Sequence, residues 1–456
     1  MIALGRLIAL AWLIALCAPV SAQQKGPLKS DFPQQFAFGT PNNGGSLHFK
    51  SGVLSHYGLS PNAVAEKAID ILNFQQQAWS TSLPIYWDIY LEDQRLDKTG
   101  NLGATTYSRT RKVAGATYPG PKACVLLITL KAIYSEAEVA DFETVFEYTL
   151  AHEATHCFQR ATASAQSETV GYSPADWFME GSANWLAGDF LQSEGKSYPS
   201  FFSEKFEKDH LSGMLKSKGS WHFFFKWLEG AQALGSREPV MGFIKAMLNV
   251  PWASCVEPIP VETFAEERPH SYDDHCAGTA SPYEEAMPKW FVGKNYKLSM
   301  ILSLFGSAVV RGSVPGIKNP DKFYSEWEIH STMADYDARV SAWAVKPTAR
   351  APLGKFPVNP AAIAGTGEID QPNRFGFAVY KIIPVDLIFP KPRVFFWGVE
   401  KPDPNAWVTL SRSTSDTRLG DDRWIPSPTL SGQWVSVGIV EEGAGEEANL
   451  LITYTQ

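Results

Sequence analysis

Apolar positions along this chain recur in two periods, and the alternation between them outlines its elements. Ser60-Pro61 is a cap residue followed by a proline suited to the first helical turn. Val64, Ala68, Ile69 and Leu72 then carry a helical stripe to about Trp79. Two runs rich in β-branched and aromatic residues, PIYWDIYL (84–91) and ACVLLITL (123–130), read as strands; the second is apolar on both faces, as a buried strand is. From Glu136 to about Ala161 the period is helical again, with Phe142, Val145, Phe146 and Leu150 on one face. A polar loop leads to Ser173-Pro174 and another helix, ADWFMEGSANWLAGDF. Helical stretches near 220–234 and 237–248 follow, 250–281 reads as loop, and 282–345 as mainly helical.

The ends of the chain have their own patterns. Residues 351–372 are rich in Pro, Gly and Ala and read as a linker. After them come short β-patterned runs, from RFGFAVYKII to NLLITYT, separated by turn residues, which predict a small β-sandwich domain over 373–456. At the start, Arg6 precedes an apolar run from Leu7 to Leu16, with a small-x-small site at Val20-Ser21-Ala22. Residues 1–22 therefore read as a cleaved signal peptide, too short to span a bilayer, and 23–45 as a loosely tied leader. No later run is long and apolar enough for a transmembrane segment, so the expected location is secreted or periplasmic. The whole predicts an α+β fold, with a main domain over 46–350 and a helical C-terminal part to it.

Composition narrows the partners. The formal charge is −8 with both signs interspersed and no basic stripe, which argues against nucleic acid and anionic membrane. Of five cysteines, Cys17 leaves with the signal, and the even remainder suits disulfides in an oxidising compartment. Cys255 and Cys276 flank one polar loop and are expected to pair. Cys124 and Cys157 are either a second bridge, tying strand to helix, or two buried thiols.

The chemistry concentrates in LAHEATHCFQ (150–159). Residues four apart share a helix face, so His152 and His156 can offer ring nitrogens to one ion. Glu153 sits about 100° round the helix, where it can serve as a base beside a metal rather than as a ligand. A catalytic zinc takes three protein ligands, and Glu180, in DWFMEGSANW on the next predicted helix, is the candidate third. Gly181 removes a side chain where helices cross closely, and Asn184, one turn on, can orient a ligand by hydrogen bonding.

HEATH followed by WFMEGSANWLA resembles the gluzincin metallopeptidases, and within them the peptidase MA-like group with its W-x-x-E-G-x-A pattern, here Trp177, Glu180, Gly181 and Ala183. The resemblance covers about residues 46–250. It implies a gluzincin-like domain with a mixed sheet, an edge strand that binds substrate backbone and a zinc-binding helix. It also implies one Zn2+ held by His152, His156 and Glu180, Glu153 as general base, and a peptide or protein substrate. The chain departs from the family where a tyrosine usually stabilises the oxyanion: that position falls near Lys218, and the nearest histidine is His222. The rival reading is therefore a catalytically weak or inactive scaffold of the same type that binds a protein or glycan; an intact Glu153 favours the enzyme. HSYDDHC (270–276) could hold a second ion but reads better as a solvated loop.

Overall fold

The computed structural model describes residues 32–40, 43–81, 85–93, 103–108, 111–113, 116–118, 122–131, 133, 141–162, 176–210, 213–217, 219–250, 282–329, 352–357, 375–384, 395–400, 406–412, 415–419, 425–427, 433–440 and 449–454. The chain opens with β1 (Gln34–Thr40), β2 (Asn43–Phe49), a short α1 (Val53–His56) and α2 (Pro61–Trp79). It continues through β3 (Ile85–Glu92), β4 (Gly103–Ser108), β5 (Arg111–Val113), β6 (Ala116–Tyr118) and β7 (Lys122–Thr129). The helices α3 (Phe142–Thr162), α4 (Asp176–Ser193), α5 (Ser203–Asp209), α6 (His222–Leu228), α7 (Arg237–Leu248), α8 (Pro282–Val292) and α9 (Leu298–Val310) follow. The remaining strands are β8 (Ser325–Ile329), β9 (Pro352–Pro357), β10 (Gly376–Pro384), β11 (Phe395–Glu400), β12 (Ala406–Ser411), β13 (Asp416–Leu419), β14 (Ile425–Ser427), β15 (Trp434–Ile439) and β16 (Asn449–Tyr454). The fold is mixed α+β, and no described helix is long and apolar enough to cross a membrane.

The first sheet has the order β1-β2-β3-β7-β4, parallel at β2–β3 and β3–β7 and antiparallel at both edges. Leu47, Trp87, Ile89, Leu126 and Ile128 pack from one face against α2 and α3, through Ala68, Ile71, Leu150, Ala154 and Phe158. Ser60 caps α2 by accepting from the Ala63 N–H at 3.2 Å, as the Ser-Pro signal predicts. Cys124 on β7 and Cys157 on α3 form a disulfide, so the bridge reading of that pair is the right one. The opposite face carries buried polar pairs, His48 with Asp88 at 3.0 Å and Ser46 with Tyr86 at 2.8 Å, beside the Phe32–Tyr90–Leu127 cluster.

Three expectations need correction. The leader's second half is a hairpin: β1 and β2 pair from Gln34↔Phe49 to Thr40↔Asn43. Its alternation, Phe36 and Phe38, is only two positions long, and the Gly-rich run that read as loop is the inner strand. Residues 282–345 are not mainly helical to the end, because Ser325–Ile329 is a strand lying parallel to β10. The linker 351–372 begins with a strand, Pro352–Pro357, antiparallel to β16.

The C-terminal strands form two sheets, β13-β12-β15-β10-β8 and β14-β11-β16-β9. The first of these does not stand apart. The helix α9 is buried nearly all round, with Phe305 packed among Trp221, Phe224, Trp227 and Phe377. Ser303 Oγ donates to the Ser436 carbonyl at 2.8 Å while Ser436 Oγ donates to the Ser303 carbonyl at 2.6 Å. Gly438 lets the β15 backbone approach Ser299 and Ser303 more closely than any Cβ would permit. Phe375, Phe377 and Val379 thus belong to the same core as the helical layer, and the boundary at 351–372 does not separate two cores. The segment 1–22, Cys255, Cys276, Lys218 and residues 270–276 lie outside the described residues.

Candidate metal centre

Asp141 starts the central helix. Its carboxylate accepts from the Thr144 N–H at 2.8 Å and from the Thr144 hydroxyl at 2.7 Å, and these bonds hold its pKa below the usual carboxylate value. From that cap α3 turns Val145, Leu150, Ala151, Ala154 and Cys157 into the core. His152 and His156 emerge together on the side facing α4, as the four-residue spacing requires. Trp177 and Phe178 anchor α4 among Phe225, Phe243 and Tyr283, which places Glu180 opposite the two rings.

The three side chains converge. His152 Nε2 lies 3.1 Å from His156 Nε2 and 3.2 Å from Glu180 Oε2, and His156 Nε2 lies 3.6 Å from Glu180 Oε1. Zinc bonds of roughly 2.0–2.2 Å at tetrahedral angles would separate donor atoms by about 3.3–3.5 Å, so this N, N, O set fits one zinc ion. The His152 and His156 side chains are 13% and 12% exposed and Glu180 35%, which leaves the centre reachable from one side. Burial disfavours a charged His152 ring, but Glu180, helped by Glu153, outweighs it and holds the ring above the ordinary histidine value. Burial wins at His156, where the neighbouring His152 adds to it, and that ring sits below the ordinary value. Glu153 is itself buried and close enough to favour the charged form of both rings.

Around this set lies a layer of hydrogen bonds. Tyr148, one turn before His152, donates its hydroxyl to Asn184 Oδ1 at 2.9 Å, and Asn184 Nδ2 donates to the Gly219 carbonyl at 3.1 Å. Asn184 lies near enough to favour a charged His152 but makes no bond of good geometry to its Nδ1, so its amide holds the Gly219 loop rather than the ring. Gly219 adopts φ +80°, and a Cβ there would stand 2.7 Å from Glu180 Cβ. Gly181 does meet a close neighbour, but that neighbour is Phe225 on α6, 3.1 Å from where a Cβ would be, rather than α3. Tyr148 and Gly219 carry no motif of their own. Only Tyr148 had a readable signal, its place four residues before His152.

His222 is not placed to be the oxyanion donor that the family resemblance leads one to look for. It is fully buried, its ring nearest Phe223, Phe202 and Tyr198, and burial pushes its pKa down to about 3. Its Nδ1 lies 3.3 Å from the Gly219 carbonyl, which can only accept, so the proton sits there and Nε2 has none to offer. The four-residue spacing predicted that His152 and His156 share a face, and the structure brings both against Glu180; only its neighbours show that His222 is a packed ring. No family model matches the chain, and neither a curated protein nor a solved structure matches it.

Proposed function

We propose that this protein is an exported zinc-dependent metallopeptidase of gluzincin type, with His152, His156 and Glu180 as ligands and Glu153 as general base. The observation that carries the reading is the convergence of three donor atoms at zinc-like separations, with a second acidic side chain, Glu153, beside them. When bound, zinc would polarise a substrate carbonyl and lower the pKa of water toward neutrality. Glu153 would take the proton from that water and return it to the leaving amine. The antiparallel edge strand β4, which also packs against α3, suits the family's way of holding an extended peptide by backbone hydrogen bonds. The buried Cys124–Cys157 bridge supports a secreted or periplasmic location.

Zinc content and peptide hydrolysis, measured on wild type and Glu153→Gln, test this. The variant should keep one zinc per chain and lose about 10²–10⁴-fold in turnover. Unchanged turnover would remove Glu153 from the mechanism, and wild type without zinc would overturn the metallopeptidase reading. The exclusion of His222 as oxyanion donor favours a second reading, a metallopeptidase-like scaffold that binds a protein or glycan. Wild type that holds zinc but cleaves no peptide would select it.

A further inference from the structure

We infer that Gln159 is a positioning residue that selects the metal-binding tautomer of His156 and locks the two ligand helices in register; the inference rests on the metal-centre reading above. Gln159 is fully buried on α3, one turn past His156. Its Nε2 donates to the Met179 carbonyl at 3.0 Å and to Ser182 Oγ at 2.8 Å. Ser182 spends its own proton on the Phe178 carbonyl at 2.7 Å, so its oxygen accepts from the amide. The carbonyl of Met179 can only accept. Both contacts therefore demand the amide nitrogen, which turns Gln159 Oε1 toward His156.

That oxygen lies 2.7 Å from His156 Nδ1 and has no proton to give. The ring must carry its proton on Nδ1, which leaves the Nε2 lone pair directed at His152 and Glu180, at 3.1 and 3.6 Å. The wrong tautomer would set two acceptors against each other at Gln159 and present an N–H where an ion needs a lone pair. Because Met179 and Ser182 flank Glu180, the same amide also ties α3 to α4 beside the third candidate ligand, a bond that contributes to stability. The opposite ring has no equivalent: His152 Nδ1 is buried without a hydrogen-bond partner among the described residues.

The test uses the full chain with Gln159→Leu and Gln159→Glu, and reads zinc affinity by chelator competition and histidine tautomers by two-bond ¹H–¹⁵N spectra of zinc-free protein. Gln159→Glu keeps an acceptor for Nδ1–H while losing the amide donors; Gln159→Leu loses both. Zinc affinity should fall about 10–100-fold in Gln159→Leu and return largely to the wild-type value in Gln159→Glu. The spectra should show His156 as the Nδ1–H tautomer in wild type and Gln159→Glu, and as a mixture in Gln159→Leu. Both variants should melt below wild type, since each loses the amide's bonds to α4. Equal loss of zinc in the two variants, or an Nε2–H His156 in wild type, would overturn the inference. Wild type that binds no zinc but shows the Nδ1–H tautomer would overturn the metal reading while leaving the tautomer assignment standing.

Discussion

The candidate metal centre and the aromatic nest behind it both bury histidines, with opposite results. At the centre, His152 and His156 meet a carboxylate from another helix, and His152 stays above the ordinary histidine pKa in spite of burial. In the nest, His222 lies among Tyr198, Phe202 and Phe223, and His210 among Phe206, Phe323 and Phe377. Burial there pushes the pKa values down to about 3 and about 4. Each nest ring gives its one proton to a carbonyl, His222 to Gly219 and His210 to Glu207 at 2.7 Å. What separates the candidate ligands from the packed rings is the carboxylate across the helix interface and the exposed edge, not burial itself.

The widest effect of this contrast is on acid stability. The folded-state pKa values of His210 and His222 are depressed, so the unfolded chain takes up protons first as pH falls. Their contribution to stability is complete above about pH 6.5 and drains away as pH drops through about 4 and then about 3. The loss should reach several kcal/mol, because each tenfold fall in a ring's proton affinity on folding is worth about 1.4 kcal/mol. Denaturant titration of zinc-free protein across that range measures it, and His222→Leu should flatten the slope. An unchanged slope in that variant would mean the nest does not hold a neutral His222.

Removing the carboxylate tests the other side. Glu180→Ala should weaken zinc binding by more than the roughly 100-fold typical of lost supporting bonds. His222→Leu should weaken it by far less, since that ring has no free proton or exposed edge to offer. Comparable losses by chelator competition would erase the distinction between the two regions.

Gly219 joins them, because its carbonyl lies within reach of both Asn184 Nδ2 and His222 Nδ1. Gly219→Ala forces a Cβ into left-handed backbone and against Glu180, at a cost of about 1–3 kcal/mol. Its melting temperature should drop, and zinc affinity should drop with it because Glu180 must shift. A variant that melts low but binds zinc as wild type would show that the loop supports the nest alone.

The sequence by itself determined the elements that carry their own periodicity, and with them the heart of the candidate site. Two histidines at helical spacing must share a face, and Ser60-Pro61 had to begin a helix, because both follow from local backbone geometry. Glu180 was legible only through its motif, since the pairing of α3 with α4 is not written in either helix alone. Tertiary structure decided everything that depends on which side chain faces which. It made Cys124 and Cys157 a bridge and gave Gln159 its two donors and one acceptor. It also buried His222 in aromatic rings. It folded α9 into the C-terminal sheet, where the sequence showed only an apolar helix and a Pro/Gly/Ala-rich run that looked like a boundary. Periodicity reports which face of an element is apolar; only packing says what that face meets, and hydrogen-bond partners are chosen there.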